Sequence, residues 1–106
     1  MTTFFVVVRR RGPSWDPARP LEEQAGWDQH AAFMDGLVAT GFVVLGGPLA
    51  DEERVVLAVD APTEDDVRAT LAADPWHGSH LLVDSVDAWT IRLDGRDRSG
   101  PELQGP

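Results

Sequence analysis

Two segments of this sequence are apolar on both faces of a strand, and no other feature restricts the fold as much. Phe4-Phe5-Val6-Val7-Val8 puts Phe5 and Val7 on one side of an extended chain, with Phe4, Val6 and Val8 on the other. Val55-Val56-Leu57-Ala58-Val59 repeats the pattern. β-branched and aromatic residues fit a pleated surface better than a helix. A strand apolar on both sides is one covered on both sides. Whatever surrounds these two strands must therefore supply two layers.

The first strand is expected over Thr3–Arg9, and Gly12, Pro13, Pro17 and Pro20 make residues 11–20 a loop. Helical periodicity runs from Leu21 to about Thr40, with Gly41 at its end. Gly26 and Gly36 weaken that helix and move its start toward Gly26. Phe42–Leu45 reads as a second strand stopped by Gly46-Gly47-Pro48, then a turn over Leu49–Glu53 and a third strand over Arg54–Asp60. Thr63, with Asp66 three residues on, caps a second helix running to Asp74, and Pro75 ends it. After a loop over Trp76–His80, Leu81–Leu93 forms a fourth strand, with a bulge expected between Asp84 and Ala88 where alternation fails.

The order β-α-β-β-α-β is an α+β, ferredoxin-like arrangement, with a four-stranded antiparallel sheet and both helices on one face. Right-handed crossovers put the first and third strands at the centre. One domain is expected over residues 1–93, followed by a flexible polar tail over 94–106. Two helices cover one sheet face only, so a second copy of the same sheet is the expected cover for the other, giving a two-fold homodimer.

Composition narrows the function. Eighteen acidic residues against nine arginines give a net charge of −9, which excludes the basic surface that nucleic acid needs. No apolar run approaches the ~20 residues of a membrane-spanning helix. The N-terminus lacks the basic region of a signal peptide. The absence of cysteine excludes a disulfide framework and thiolate metal sites, and fits a reducing compartment. A soluble, cytoplasmic protein is expected.

Few residues can carry chemistry. His30 is the only ionisable residue on the apolar stripe Trp27, His30, Ala31, Met34, Leu37, Val38 of the first helix. It is either a packed core imidazole or a general base. Asp74 falls on the inward stripe of the second helix, in the last turn, where the helix dipole disfavours a carboxylate. It needs a partner there: a loop amide, Arg68, or His30, the last making a catalytic dyad. Gly47, with Pro48 after it, is either part of a tight turn or a close backbone approach to a ligand. Trp76 is pocket wall or ordinary core. Trp15 is a candidate lid residue. Of the arginines at 9–11, Arg9 shares the phase of Phe5 and Val7 and is the candidate for binding a substrate carboxylate. His77-Gly-Ser-His80 matches no strong zinc spacing, so no metal and no cofactor is expected.

Taken together, Phe4–Val8, His30, Gly41-Phe-Val-Val-Leu-Gly-Gly-Pro48, Asp74-Pro75-Trp76 and Val83–Trp89 resemble the YCII-related (YciI-like) family of the dimeric α/β-barrel superfamily. The resemblance covers residues 3–93. It implies a ferredoxin-like protomer with a pocket beside a histidine–aspartate pair, here His30 and Asp74. A family member that dehydrochlorinates a chlorinated hydroxyquinone implies lyase-type proton abstraction. The Arg9–Pro20 loop and the tail depart from the shorter bacterial forms, so a substrate class does not carry over. The function expected is a cofactor-free lyase or isomerase acting on a small molecule. The alternatives are a non-catalytic binding or accessory domain and a cofactor-free monooxygenase.

Overall fold

The computed structural model describes residues 1–96. Strands β1 (Thr2–Arg9), β2 (Val43–Pro48), β3 (Arg54–Ala61) and β4 (Leu82–Ala88) form one sheet in the order β2-β3-β1-β4. Helix α1 spans Trp27–Ala39 and α2 spans Glu64–Leu71. All three strand pairings are antiparallel. The two segments apolar on both faces, β1 and β3, are the central strands, as a ferredoxin-like α+β fold requires.

The register assigns each face. Phe4 pairs with Val59, Val6 with Leu57 and Val8 with Val55, and these join Val67 and Leu71 of α2 in the core. The partners Phe5–Ala58, Val7–Val56 and Arg9–Arg54 lie on the opposite, helix-free face. Burial in β1 alternates accordingly, with Phe4, Val6 and Val8 buried and the residues between them half-buried. The central strands therefore keep an apolar second face partly open to solvent. Trp89, just past β4, packs edge-on against Phe5 there, with centroids 5.2 Å apart. A cavity of about 210 Å³ separates Leu45 and Ala58 from Ile91 and Leu93. Among the described residues, 89–96 thus cover one corner of this face, and Val7 and Val56 are half-buried.

Several boundaries differ from those expected. The periodic stretch from Leu21 is broken: a single 3-10 turn covers Leu21–Glu23, and Gly26 adopts φ 80° before α1 starts. Gly41 ends the helix at φ 84°, where a glycine costs nothing sterically. Gly46-Gly47-Pro48 does not stop β2 but continues it, paired with Leu57, Val56 and Val55. β2 is an edge strand, where a proline without N–H and glycines without side chains are tolerated. α2 ends at Leu71, three residues short of Asp74. The β4 bulge falls at Asp84, because Val7 pairs with Ser85 and Val8 with Val83. β4 itself stops at Ala88, not Leu93. Thr63 caps α2 as expected, its hydroxyl accepting from the Asp66 N–H at 3.1 Å. Of the expected tail, residues 97–106 lie outside the described residues.

Candidate active site

The apolar stripe of α1 faces a cavity, not a filled core. No α1 residue is fully buried, although Met34 and Leu37 touch the core cluster. Beneath the helix lies a cavity of about 560 Å³, walled by Trp27, His30, Met34 and Val38 at the helical spacing of one face. The sheet side contributes Val8, Val43, Leu57 and the edge residues 44–47, and the loop after α2 contributes Asp74, Trp76 and His77. Val38 and Leu45, 58% and 60% exposed, mark its opening between α1 and β2. The volume suits a small organic molecule.

His30 and Asp74 meet on the wall of this cavity. His30 Nδ1 lies 2.9 Å from both oxygens of the Asp74 carboxylate. The two side chains are 11% and 8% exposed. Asp74 is not in the last turn of α2, so the helix dipole does not act on it as expected. It stands in the turn that follows, and its Oδ1 also accepts the backbone N–H of Trp76 at 2.9 Å. Pro75 between them fixes the chain direction. The carboxylate therefore has three hydrogen-bonding contacts and needs no arginine. With Asp74 ionised, Nδ1 is the protonated nitrogen and Nε2 carries the lone pair. Nε2 makes no hydrogen bond among the described residues and is not sealed from accessible space.

Trp76 is the platform of the site. It is 2% exposed, and its indole N–H donates to the Ala25 carbonyl at 2.8 Å, just before α1. His30 stacks on it nearly parallel, at 7° and 4.2 Å between centroids. His80 stacks on it as well, at 19° and 4.6 Å. Trp15 packs edge-on against both Trp76 and His80. Trp15 thus backs the platform and does not line the cavity as a lid. Burial pushes the His80 imidazole down from its ordinary value of 6.5, and nearby His30 adds to that while Asp74 opposes it. Among the described residues no cluster of His, Asp and Glu is arranged to hold a metal ion.

The other residues singled out in the sequence separate. Gly47 lines the cavity, together with Gly46, whereas Pro48 does not. Gly46 is the more constrained of the two: a Cβ there would lie 2.6 Å from Leu57 Cδ2, while one at Gly47 would meet nothing within 4 Å. Arg9 is on the helix-free face, where its Nε binds the bulged Asp84 at 2.9 Å. The cavity takes Arg10 instead.

Two features escaped sequence reasoning. Gln24 is 3% exposed, and its amide binds the loop backbone three times: Oε1 accepts from Asp16 N–H, and Nε2 donates to the Asp16 and Arg19 carbonyls. Such a buried amide is fully used, and no local pattern announces it. The second is the seam between the 10–20 loop and the 76–80 loop, where Gly12 N–H donates to His80 O and Ser14 N–H to Ser79 O. A Cβ on Gly12 would overlap the Ser79 carbonyl, so that glycine was the available signal.

Compared with known proteins, the chain matches no family model and no curated protein. Among the described residues no helix is long and apolar enough to cross a membrane.

Proposed function

We propose that this protein is a small enzyme of the lyase or isomerase type, in which His30 moves a proton and Asp74 holds it in position. The observation that carries this reading is the carboxylate–imidazole contact on the wall of a largely apolar cavity. A carboxylate on Nδ1 fixes the tautomer and stabilises the imidazolium that forms when Nε2 accepts a proton. Low solvent access strengthens that stabilisation. In the reaction, Nε2 takes a proton from an activated C–H, and the electron pair of that bond becomes a C=C. The displaced pair leaves with an anionic group (elimination) or is quenched by the same proton at another carbon (isomerisation). The resemblance to the YCII-related family, whose pocket lies beside a histidine–aspartate pair, supports the same reading. A sheet-stacked homodimer and a cytoplasmic setting are proposed along with it.

A second reading, a binding domain with a structural histidine, draws on the flat stacking of His30 on Trp76. His30→Gln and Asp74→Asn separate the two. Asn keeps an oxygen to accept from His30 and Trp76, so its stability should change by less than about 1 kcal/mol. As an enzyme, the protein should catalyse hydrogen–deuterium exchange into, or elimination from, small carbon acids, and both variants should lose this at least ~100-fold. Exchange that persists unchanged in His30→Gln, with unfolding midpoints shifted in both variants, would establish the structural role.

A further inference from the structure

The triple arginine at the end of β1 divides between the two faces of the sheet, and the division bears on what the cavity binds. Arg9 follows Phe5 and Val7 to the helix-free face and is neutralised by Asp84. Arg10 follows Val8 to the helix side, where it stands between this cavity and a neighbouring one of about 430 Å³ that Trp15 and Glu52 also line. Arg10 is the only arginine among the residues lining the larger cavity, whose other charged or titratable members are His30, Asp74 and His77.

Arg10 is held rigidly. Its backbone N–H donates to Glu53 O at 2.9 Å. Its Nη1 donates to Glu52 O, also at 2.9 Å. Glu52 is the one non-glycine residue with positive φ among those described, at 61°. Such a conformation is uncommon outside glycine, asparagine and aspartate; here it accompanies the carbonyl that the guanidinium meets. The guanidinium carbon also sits 5.6 Å from the centre of the Trp15 ring, a cation–π contact. The side chain is only 10% exposed. Its carboxylate neighbour, Glu52, is loosely placed at 3.6 Å and is 77% exposed, so it neutralises little in water. One of five N–H donors is used. Asp74, the other fixed charge on the wall, is already bound by His30 and Trp76.

We propose that Arg10 anchors an anionic oxygen of the ligand, and that the cavity takes a flat, apolar acid: an aromatic or conjugated carboxylate, or the enolate of a cyclic ketone. This rests on the cavity being the binding site assumed above, but not on proton transfer by His30. The chain carries a net charge of −9, which repels acids in general, so a local fixed cation decides whether an acid enters. Aliphatic and tryptophan walls take the flat remainder by area burial. An arginine fork also stabilises the negative charge that develops on oxygen when a neighbouring C–H loses its proton.

The test uses the full chain and an isosteric probe pair, 2-naphthoate and neutral 2-naphthamide, with binding read from the indole N–H resonances of Trp27 and Trp76. The wild type should bind naphthoate roughly tenfold more tightly than naphthamide. Arg10→Gln should bind both about equally, with its naphthamide affinity unchanged, which also shows that the variant is folded. Arg9→Gln, on the opposite face, should keep the wild-type preference. His30→Gln should keep it too, whatever its effect on turnover, so failure of proton transfer and failure of this assignment are distinguishable. The assignment is overturned by equal affinities in the wild type, by a preference that survives Arg10→Gln, or by probes that leave both indole resonances unmoved.

Discussion

His80 shows how one buried imidazole ties pH to stability here. It is 6% exposed, lies between Trp15 and Trp76, and stands near His30 and Asp74. Burial holds its folded-state value below the ordinary 6.5. Between those two values the unfolded chain binds more protons than the folded one, so stability rises with pH through that window. Acidification from pH 7 therefore destabilises the fold, beginning near 6.5. Urea midpoints measured from pH 8 to pH 5 should decline below that point. His80→Phe, which keeps a ring against Trp76, should lose part of the slope; superimposable slopes would show that His80 is not the group responsible. The same residue was visible in the sequence only as one end of His77-Gly-Ser-His80. Spacing said nothing of the tryptophans it would touch, because they come from a loop more than sixty residues away in sequence and from the residue four before it.

At the scale of elements, β2 departs most from what its glycines and proline imply, since it stays paired through Pro48. Glycines and a proline normally interrupt a strand, but an edge position removes half of the pairing that proline would break. Gly46 and Gly47 also illustrate two distinct reasons for a glycine. Gly46→Ala would drive its Cβ against Leu57, a core residue 5% exposed, and should cost about 1–3 kcal/mol by overpacking. Gly47→Ala meets no atom and should leave stability within about 1 kcal/mol. Chemical denaturation of the two variants side by side checks this. A Gly46→Ala protein as stable as the wild type would mean that Leu57 can move aside into the cavity. α1 supplies the complementary case. Its stripe was legible from periodicity, but whether a stripe meets packed side chains or an open cavity depends on how closely the helix approaches the sheet, and periodicity does not encode that distance.

At the scale of the whole molecule, the sheet among the described residues has one helix-covered face and one face without helices, the latter screened at a corner by Trp89 and the residues after it. Half-buried Phe5, Val7 and Val56 lie on that face, and Leu45 is 60% exposed. Apolar area of this kind favours association. The sheet-stacked homodimer proposed for this protein predicts sedimentation as two chains at micromolar concentration. Val56→Glu, at the centre of the helix-free face, should sediment as one chain and keep its helical circular dichroism. A wild type that remains a single chain at that concentration overturns the dimer.

The sequence by itself determined the order of elements, the two central strands and the Thr63 and Gly41 helix boundaries, because these follow from local periodicity and backbone conformation. It also brought His30 and Asp74 forward as inward polar residues on apolar stripes. Only the tertiary structure decided which face of β1 the helices cover. Both faces are apolar, so alternation separated Arg9 from Arg10 without saying which of them points toward the helices. It made Arg9 the candidate, whereas the fold turns Arg9 to Asp84 and gives Arg10 to the cavity. The carboxylate–imidazole contact is likewise tertiary, since it joins residues 44 apart in sequence through a turn that begins three residues earlier than helical periodicity implied. Phase along one strand or helix is a local property; the side on which the rest of the chain packs is not.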